Sequence, residues 1–243
     1  MPNRYSTKGL TEAEFEPGSN KRVLKNIPGL KSKRAIDQME AQALFNAEKW
    51  AFHYFTRTHR FTESDIRKIH KVFLGKIYGW AGRYRDVNIT KDNFPFAPAR
   101  QIPRLMADLA GNILARYTPC IFKDKEKVVE AIGVVHSELL LIHPFREGNG
   151  RLARLLADLM ALQAGLPALD YGFIKGRIKQ AYYRAIQSGL SQDYEPIKAI
   201  VGACLSGSEL LPPILGSKSG AKAPSNCRSI GNALQRALRR GSE

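Results

Sequence analysis

The chain has 243 residues, 44% of them hydrophobic, which suits one folded domain with an arm or tail and excludes bulk disorder and collagen-like repeats. Lys and Arg number 38 against 22 Asp and Glu, and this formal charge of +16 asks for an anionic partner: nucleic acid, nucleotide, phosphate or an acidic protein. No apolar run approaches the roughly 20 residues of a membrane span, and MPNRYSTKGL has no apolar signal core, so the expected location is cytoplasmic. The three cysteines, Cys120, Cys204 and Cys227, form no C-x-x-C or Cys/His zinc pattern, which predicts free thiols.

In chain order, residues 1–20 are polar and end in EFEPGSN, an irregular arm. Lys21 to Arg34 carries six basic residues and no acidic one, broken by Pro28 and Gly29. Ile36, Met39, Ala43, Ala47, Trp50 and Ala51 then recur at helical steps. Thr62 precedes a second helix on Ile66, Ile69, Val72 and Phe73, with acids for its first turn. His70 lies on that helix and is expected to be a packed histidine. Trp80 to Ala99 changes to strand-and-turn chemistry, most simply a small hairpin.

Helical signals resume at Pro103 and run through Leu105, Met106, Leu109, Ile113 and Leu114. Lys125 to Ile142 predicts a helix facing inward with Val128, Val129, Ile132, Val135 and Leu139. Leu152 to Ala164 predicts another, stopped by Gly165, with Leu155, Leu156, Leu159 and Leu162 in the core. Ala181–Gly189 and Pro196–Leu205 add two short helices. Residues 212–243 read as a basic flexible tail. The fold class is mostly α with one small β element.

Between the two apolar helices lies HPFREGNGRLAR, residues 143–154. Two glycines flank an asparagine just ahead of a helix, so backbone N–H groups and the positive end of the helix dipole can approach an anion. Arg151 and Arg154 follow on one face, and guanidinium forks match phosphate geometry. Glu147 offers a hard oxygen suited to Mg²⁺ held together with substrate phosphates. His143 can take a proton near neutral pH. A plain polar helix connection would not explain this concentration of chemistry, and the loop reads as a di- or triphosphate site with a base beside it.

These residues match, at every defined position, the pattern H-x-F-x-[DE]-G-N-G-R-x-x-R, and the chain resembles the Fic family of AMP-transferring enzymes. The resemblance runs from about Val23 to Ile200 and includes KIYGWAGRYR with the hairpin after it. It implies a helical Fic domain over 21–211 with a β-hairpin flap, 87–97, that docks a target protein. It further implies that ATP is the substrate, that His143 deprotonates a Ser, Thr or Tyr hydroxyl, and that Glu147 holds Mg²⁺. By the same resemblance the backbone of Gly148, Asn149 and Gly150, with the Asn149 side chain, forms an anion hole. Arg151 and Arg154 grip the β- and γ-phosphates, and Phe145 anchors the loop.

Lys91, Asp92 and Asn93 would edge the nucleotide, Tyr183 of the Tyr182-Tyr183 pair would contact the base, and Phe94 and Phe96 would clamp target side chains or pack. Leu190 stands where some relatives have a base-contacting Asn. Related kinases of the Doc type carry Lys where Gly150 stands, which argues against phosphate transfer. Ser191–Glu195 only partly matches the family's inhibitory pattern, and Glu195 reads as a helix cap. The N-terminal part instead resembles Fic toxins held off by a small antitoxin acting in trans, with Arg154 its electrostatic target. Other nucleotidyl or phosphate transfer remains as an alternative, as does nucleic-acid binding with a vestigial loop.

Overall fold

A computed structural model describes residues 11–206. Residues 1–10, the tail 212–243 and Cys227 lie outside the described residues.

Helix α1 (Lys33–Tyr54) starts on Ser32, whose hydroxyl accepts the Ala35 N–H. It packs against α2 (Glu63–Leu74), which opens with a capping box: the Thr62 hydroxyl accepts the Asp65 N–H at 3.2 Å, and the Asp65 carboxylate accepts the Thr62 N–H at 2.9 Å. The hairpin follows as β1 (Thr90–Lys91) paired antiparallel with β2 (Phe94–Pro95). Its turn residues Asp92 and Asn93 both have positive φ, the geometry that lets a two-residue turn follow the strand twist. The strands are shorter than the alternation through Tyr84, Val87 and Ile89 predicts, because those residues lead into the flap as irregular chain.

Helix α3 (Ile102–Asp108) carries its proline in the first turn and widens into a π-helical stretch, Leu109–Leu114, before the single turn α4 (Ala115–Tyr117). The wider turn brings Leu109, Ile113 and Leu114 inward together, which a uniform α-helix would not do.

Helix α5 (Lys125–Ile142) is the axis of the molecule, with every residue from Ala131 to Ile142 buried. Around it stand α3 with its π-helical extension, α6 (Asn149–Gln163), α7 (Gly176–Ser188) and α8 (Glu195–Ser206). Burial on all sides explains why its sequence is nearly continuously apolar. Helix α6 begins three residues before its apolar period and α7 five before its own, because Asn149–Arg151 has no large apolar side chain and Gly176–Gln180 only Ile178. Leu162, expected in the core, is 41% exposed on the outer side of α6.

A second, smaller apolar cluster gathers Val23, Ile36, Ala47, Phe73, Leu74, Ile77, Tyr78, Trp80 and Ala81. Residues 143–148 connect α5 to α6 beside α2. Residues 11–20, expected as an irregular arm, hold a 3₁₀ turn at Thr11–Ala13 and a β-bridge from Phe15 to Leu24. Cys120 and Cys204 are buried free thiols, and burial pushes both up to about 12. Among the described residues no helix is long and apolar enough to cross a membrane.

Candidate active site

His143 closes α5 in the left-handed conformation, φ 52° and ψ 59°, and so turns the chain out of the helix. Its Nδ1 lies 3.3 Å from the Leu140 carbonyl, which can only accept, so Nδ1 carries the proton and Nε2 is the basic nitrogen. The Phe96 ring of the flap stacks on the imidazole, centroids 3.8 Å apart. Burial, then the neighbouring Arg85 guanidinium, pushes His143 down to about 3, so the imidazole is neutral at physiological pH.

The loop beyond is held from beneath. Phe145 is fully buried and stacks on His70 at 3.8 Å. His70, also fully buried, accepts the Gly82 N–H on Nδ1 at 2.8 Å and therefore donates from Nε2 to the Glu147 carbonyl at 2.9 Å. It is the packed histidine expected from its place on α2. The Asn149 side chain accepts the Phe145 N–H at 2.9 Å and donates to the Phe145 carbonyl at 2.7 Å, with Asn149 only 2% exposed. That differs from the expectation of an Asn149 side chain in the anion hole: both of its polar atoms are spent on closing the loop.

The open side of the loop faces a cleft of about 720 Å³. Ten of the residues singled out from sequence line it: His143, Glu147, Gly148, Asn149, Gly150, Arg151, Arg154, Tyr183, Lys91 and Asp92; Asn93, expected to edge the nucleotide with Lys91 and Asp92, is not among its lining residues. Gly148 has φ 84°, and a Cβ there would meet Leu74 at 2.9 Å and Phe73 at 3.2 Å. At Gly150 a Cβ would meet nothing within 4 Å, so the space beside it belongs to the cleft. The Gly148 N–H donates to the Glu147 carboxylate at 2.9 Å, which shows that the turn accepts an anionic oxygen. Glu147 leaves its side chain 46% exposed, a hard oxygen donor at the cleft edge. Among the described residues no group of three or more His, Cys, Asp or Glu could hold a metal ion, so a divalent cation here would need substrate oxygens to complete its shell.

The two arginines are presented differently. Arg151 pairs with Glu40 of α1 at 2.7 Å and with Glu147 at 3.4 Å, and its guanidinium lies over the Phe73 ring. Glu40 is buried and accepts the Tyr78 hydroxyl at 2.6 Å. Arg154 stands against the rings of Tyr171 and Tyr182, at 4.8 and 5.8 Å, and its buried Nε has no hydrogen-bond partner among the described residues. His136 fixes Tyr182: its Nδ1 donates to the Ala153 carbonyl at 3.2 Å and its Nε2 accepts the Tyr182 hydroxyl at 2.6 Å. Tyr183 lies on the far wall, with Lys91 and Lys179 over its ring. Glu195 pairs with Lys198 at 2.7 Å and its N–H is bonded to Asp193 at the start of α8.

Glu40, His136, Tyr171, Arg85 and Glu12 escaped the sequence reading as site residues, and Tyr182 was named only as the neighbour of Tyr183. Two of them left a signal. Glu40 puts a carboxylate into the stripe Ile36–Ala43–Ala47, and His136 sits within the apolar run of α5.

Fold and loop together define a class: a helical bundle that offers an anion-cradling turn at a helix N-terminus, with a neutral imidazole beside it. Comparison with known proteins gives the class its family. The sequence model of the Fic/DOC family matches residues 60–161. The chain is 32% identical over 143 residues to protein adenylyltransferase VbhT of Bartonella schoenbuchensis, covering 59% of this chain and 30% of that one. It is 30% identical over 147 residues to the probable protein adenylyltransferase Fic of Escherichia coli, covering 58% and 68%. The crystal structure of BepC from Bartonella tribocorum with bound AMPPNP shares the fold, with a TM-score of 0.64 at 21% identity over 81% of this chain and 97% of that one. A Fic domain from Bartonella quintana with bound ADP does so with a TM-score of 0.60 at 24% identity, covering 78% and 92%. The chain belongs to the Fic/DOC family. It spans under a third of VbhT and 40% of the protein adenylyltransferase Fic of Nematostella vectensis.

Proposed function

We propose that the protein transfers AMP from ATP to a Ser, Thr or Tyr hydroxyl of a target protein. The observation that carries the reading is the open space beside Gly150 at the start of α6, in the cleft that His143 also lines. Relatives named protein adenylyltransferases, and a structural neighbour holding AMPPNP, support it.

In this reaction the acceptor oxygen attacks the α-phosphorus, its proton passes to Nε2 of His143, and the bond to the bridging oxygen breaks so that pyrophosphate leaves with the electron pair. His143 presents an unprotonated Nε2 because its Nδ1–H is committed to Leu140. N–H groups of Gly148, Asn149 and Gly150 meet phosphate oxygens at the helix N-terminus, and Arg151 and Arg154 reach the outer phosphates. Glu147 is the residue that would hold Mg²⁺, which when bound neutralises phosphate charge. Lys91, Asp92 and Tyr183 border the nucleoside end. The target segment adds along the flap, 87–97, by strand pairing. We place the reaction in the cytoplasm, where ATP is supplied, and infer regulation by a small antitoxin in trans that reaches Arg154.

Incubating the protein and a His143→Ala variant with cell lysate, Mg²⁺ and either α-³²P-ATP or γ-³²P-ATP tests the reading. Label on protein from the α position alone, lost in the variant, is the expected result. Equal label from the γ position would make the protein a phosphate transferase. Because His143 is held well below the ordinary imidazole range, transfer should retain its base down to about pH 5.

A further inference from the structure

Arg85 is the largest fully buried side chain among the described residues, 1% exposed, and no carboxylate among them lies within ion-pair distance of it. A buried guanidinium is costly unless its donors are matched. Here every match is a backbone carbonyl. Nε donates to His143 at 2.8 Å, Nη1 to Val87 at 2.6 Å, and Nη2 to Ala97 at 2.6 Å and Ile142 at 3.4 Å. These carbonyls come from three places: the start of the flap, the end of the flap, and the C-terminal end of α5, where Ile142 is followed by His143, the residue that supplies the base.

A second group works on the same flap root from outside. The buried Glu12 carboxylate accepts the N–H groups of Asp86 at 2.6 Å and Val87 at 2.9 Å, while its own carbonyl accepts Arg146 Nε at 3.0 Å. The nucleotide-facing part of the loop has separate supports, Asn149 on Phe145 and His70 on Glu147.

We propose that Arg85 is a positioning residue whose single planar guanidinium sets the distance between the flap and His143, aligning an acceptor hydroxyl with the imidazole while leaving nucleotide binding to other groups. The fork is rigid, so both flap ends and the His143 carbonyl are held in one plane. Lysine has neither the donor number nor the geometry to do this. The proposal rests on the AMP-transfer reading for its effect on catalysis and on geometry alone for its effect on the flap.

The test uses full-length Arg85→Met, Arg85→Lys and Glu12→Ala, the last removing a side chain from the N-terminal segment and not from the helical core. Three quantities are compared with wild type: amide hydrogen exchange across 86–97, affinity for a fluorescent ATP analogue, and transfer from α-³²P-ATP to protein acceptors. The expected pattern is exchange in the flap faster by about tenfold, unchanged nucleotide affinity, and transfer slower by about 100-fold in Arg85→Met. Arg85→Lys should not rescue it, and Glu12→Ala should shift flap exchange and transfer the same way by about tenfold. Transfer at the wild-type rate would overturn the proposal. So would loss of transfer matched by loss of nucleotide binding, or exchange rising equally in all helices, since either marks a merely structural role. If Arg85→Met does not fold, Arg85→Lys and Glu12→Ala decide by the same criteria. If wild type transfers no α-label, the AMP-transfer reading fails, and the exchange and affinity measurements still decide whether Arg85 fastens the flap.

Discussion

The two glycines of the loop stand two residues apart and serve different ends. Gly148 is demanded by the fold: its backbone is left-handed and the side chains of Leu74 and Phe73 crowd the place a Cβ would take. Gly150 is helical and has open space around it, so the fold does not need it. The division extends along the loop. From His143 to Asn149 the polar groups are largely engaged in shaping the turn, on Leu140, Phe145 and His70. From Gly150 on, the space at Gly150 and the side chains of Arg151 and Arg154 line the cleft, while Leu152 and Ala153 turn into the core. The motif therefore contains groups that build a shape and groups that line the cleft it shapes.

The largest expected effect that would sharpen this contrast is on Gly148. Gly148→Ala combines a left-handed backbone with overpacking against α2, and should lower unfolding stability by about 2–4 kcal/mol, read by urea denaturation. A loss no greater than that of an exposed substitution would break the division. Acid comes next. Burial holds His70 and His136 down to about 4 from the ordinary 6.5, so the unfolded chain takes up their protons first. Stability should therefore rise with pH between 4 and 6.5, by up to about 1.4 kcal/mol per pH unit for each imidazole, and be lost on acidification through that window. His70→Gln should remove part of the slope in chemical denaturation series at several pH values; an unchanged slope would mean that His70 is not held neutral.

A smaller effect concerns the arginine cage. The Tyr171 hydroxyl is buried with no hydrogen-bond partner among the described residues, while its ring faces Arg154. Tyr171→Phe should leave nucleotide affinity unchanged and raise stability by up to about 1 kcal/mol, since an unsatisfied hydroxyl disappears and the ring remains. Destabilisation in a thermal melt would show that the hydroxyl belongs with the groups that build the shape.

Legibility in the sequence followed the same line. Helices α1, α2 and α5 were readable because an apolar face repeats at helical spacing, and Thr62 announced its cap. Seven of the cleft residues were readable because they lie in one short stretch, 143–154, whose chemistry is local, with Lys91, Asp92 and Tyr183 added by resemblance. What escaped depends on partners distant in sequence. Arg85 reaches His143 across 58 positions and Glu12 reaches Val87 across 75; the Asn149 side chain, by contrast, is engaged only four residues away, on Phe145, which the motif's spacing does not reveal. The opening residues of α6 and α7, 149–151 and 176–180, carry no core pattern, since Ile178 is the one large apolar side chain in them.

The most direct test of the central claim is calorimetric titration of ATP with Mg²⁺ into wild type and Gly150→Ala, with melting temperature recorded for both. Binding to wild type, lost in a variant that melts no lower because alanine favours the helix by about 1 kcal/mol over glycine, is the predicted result. Equal affinity in the two proteins would contradict the assignment of the space at Gly150 to a phosphate.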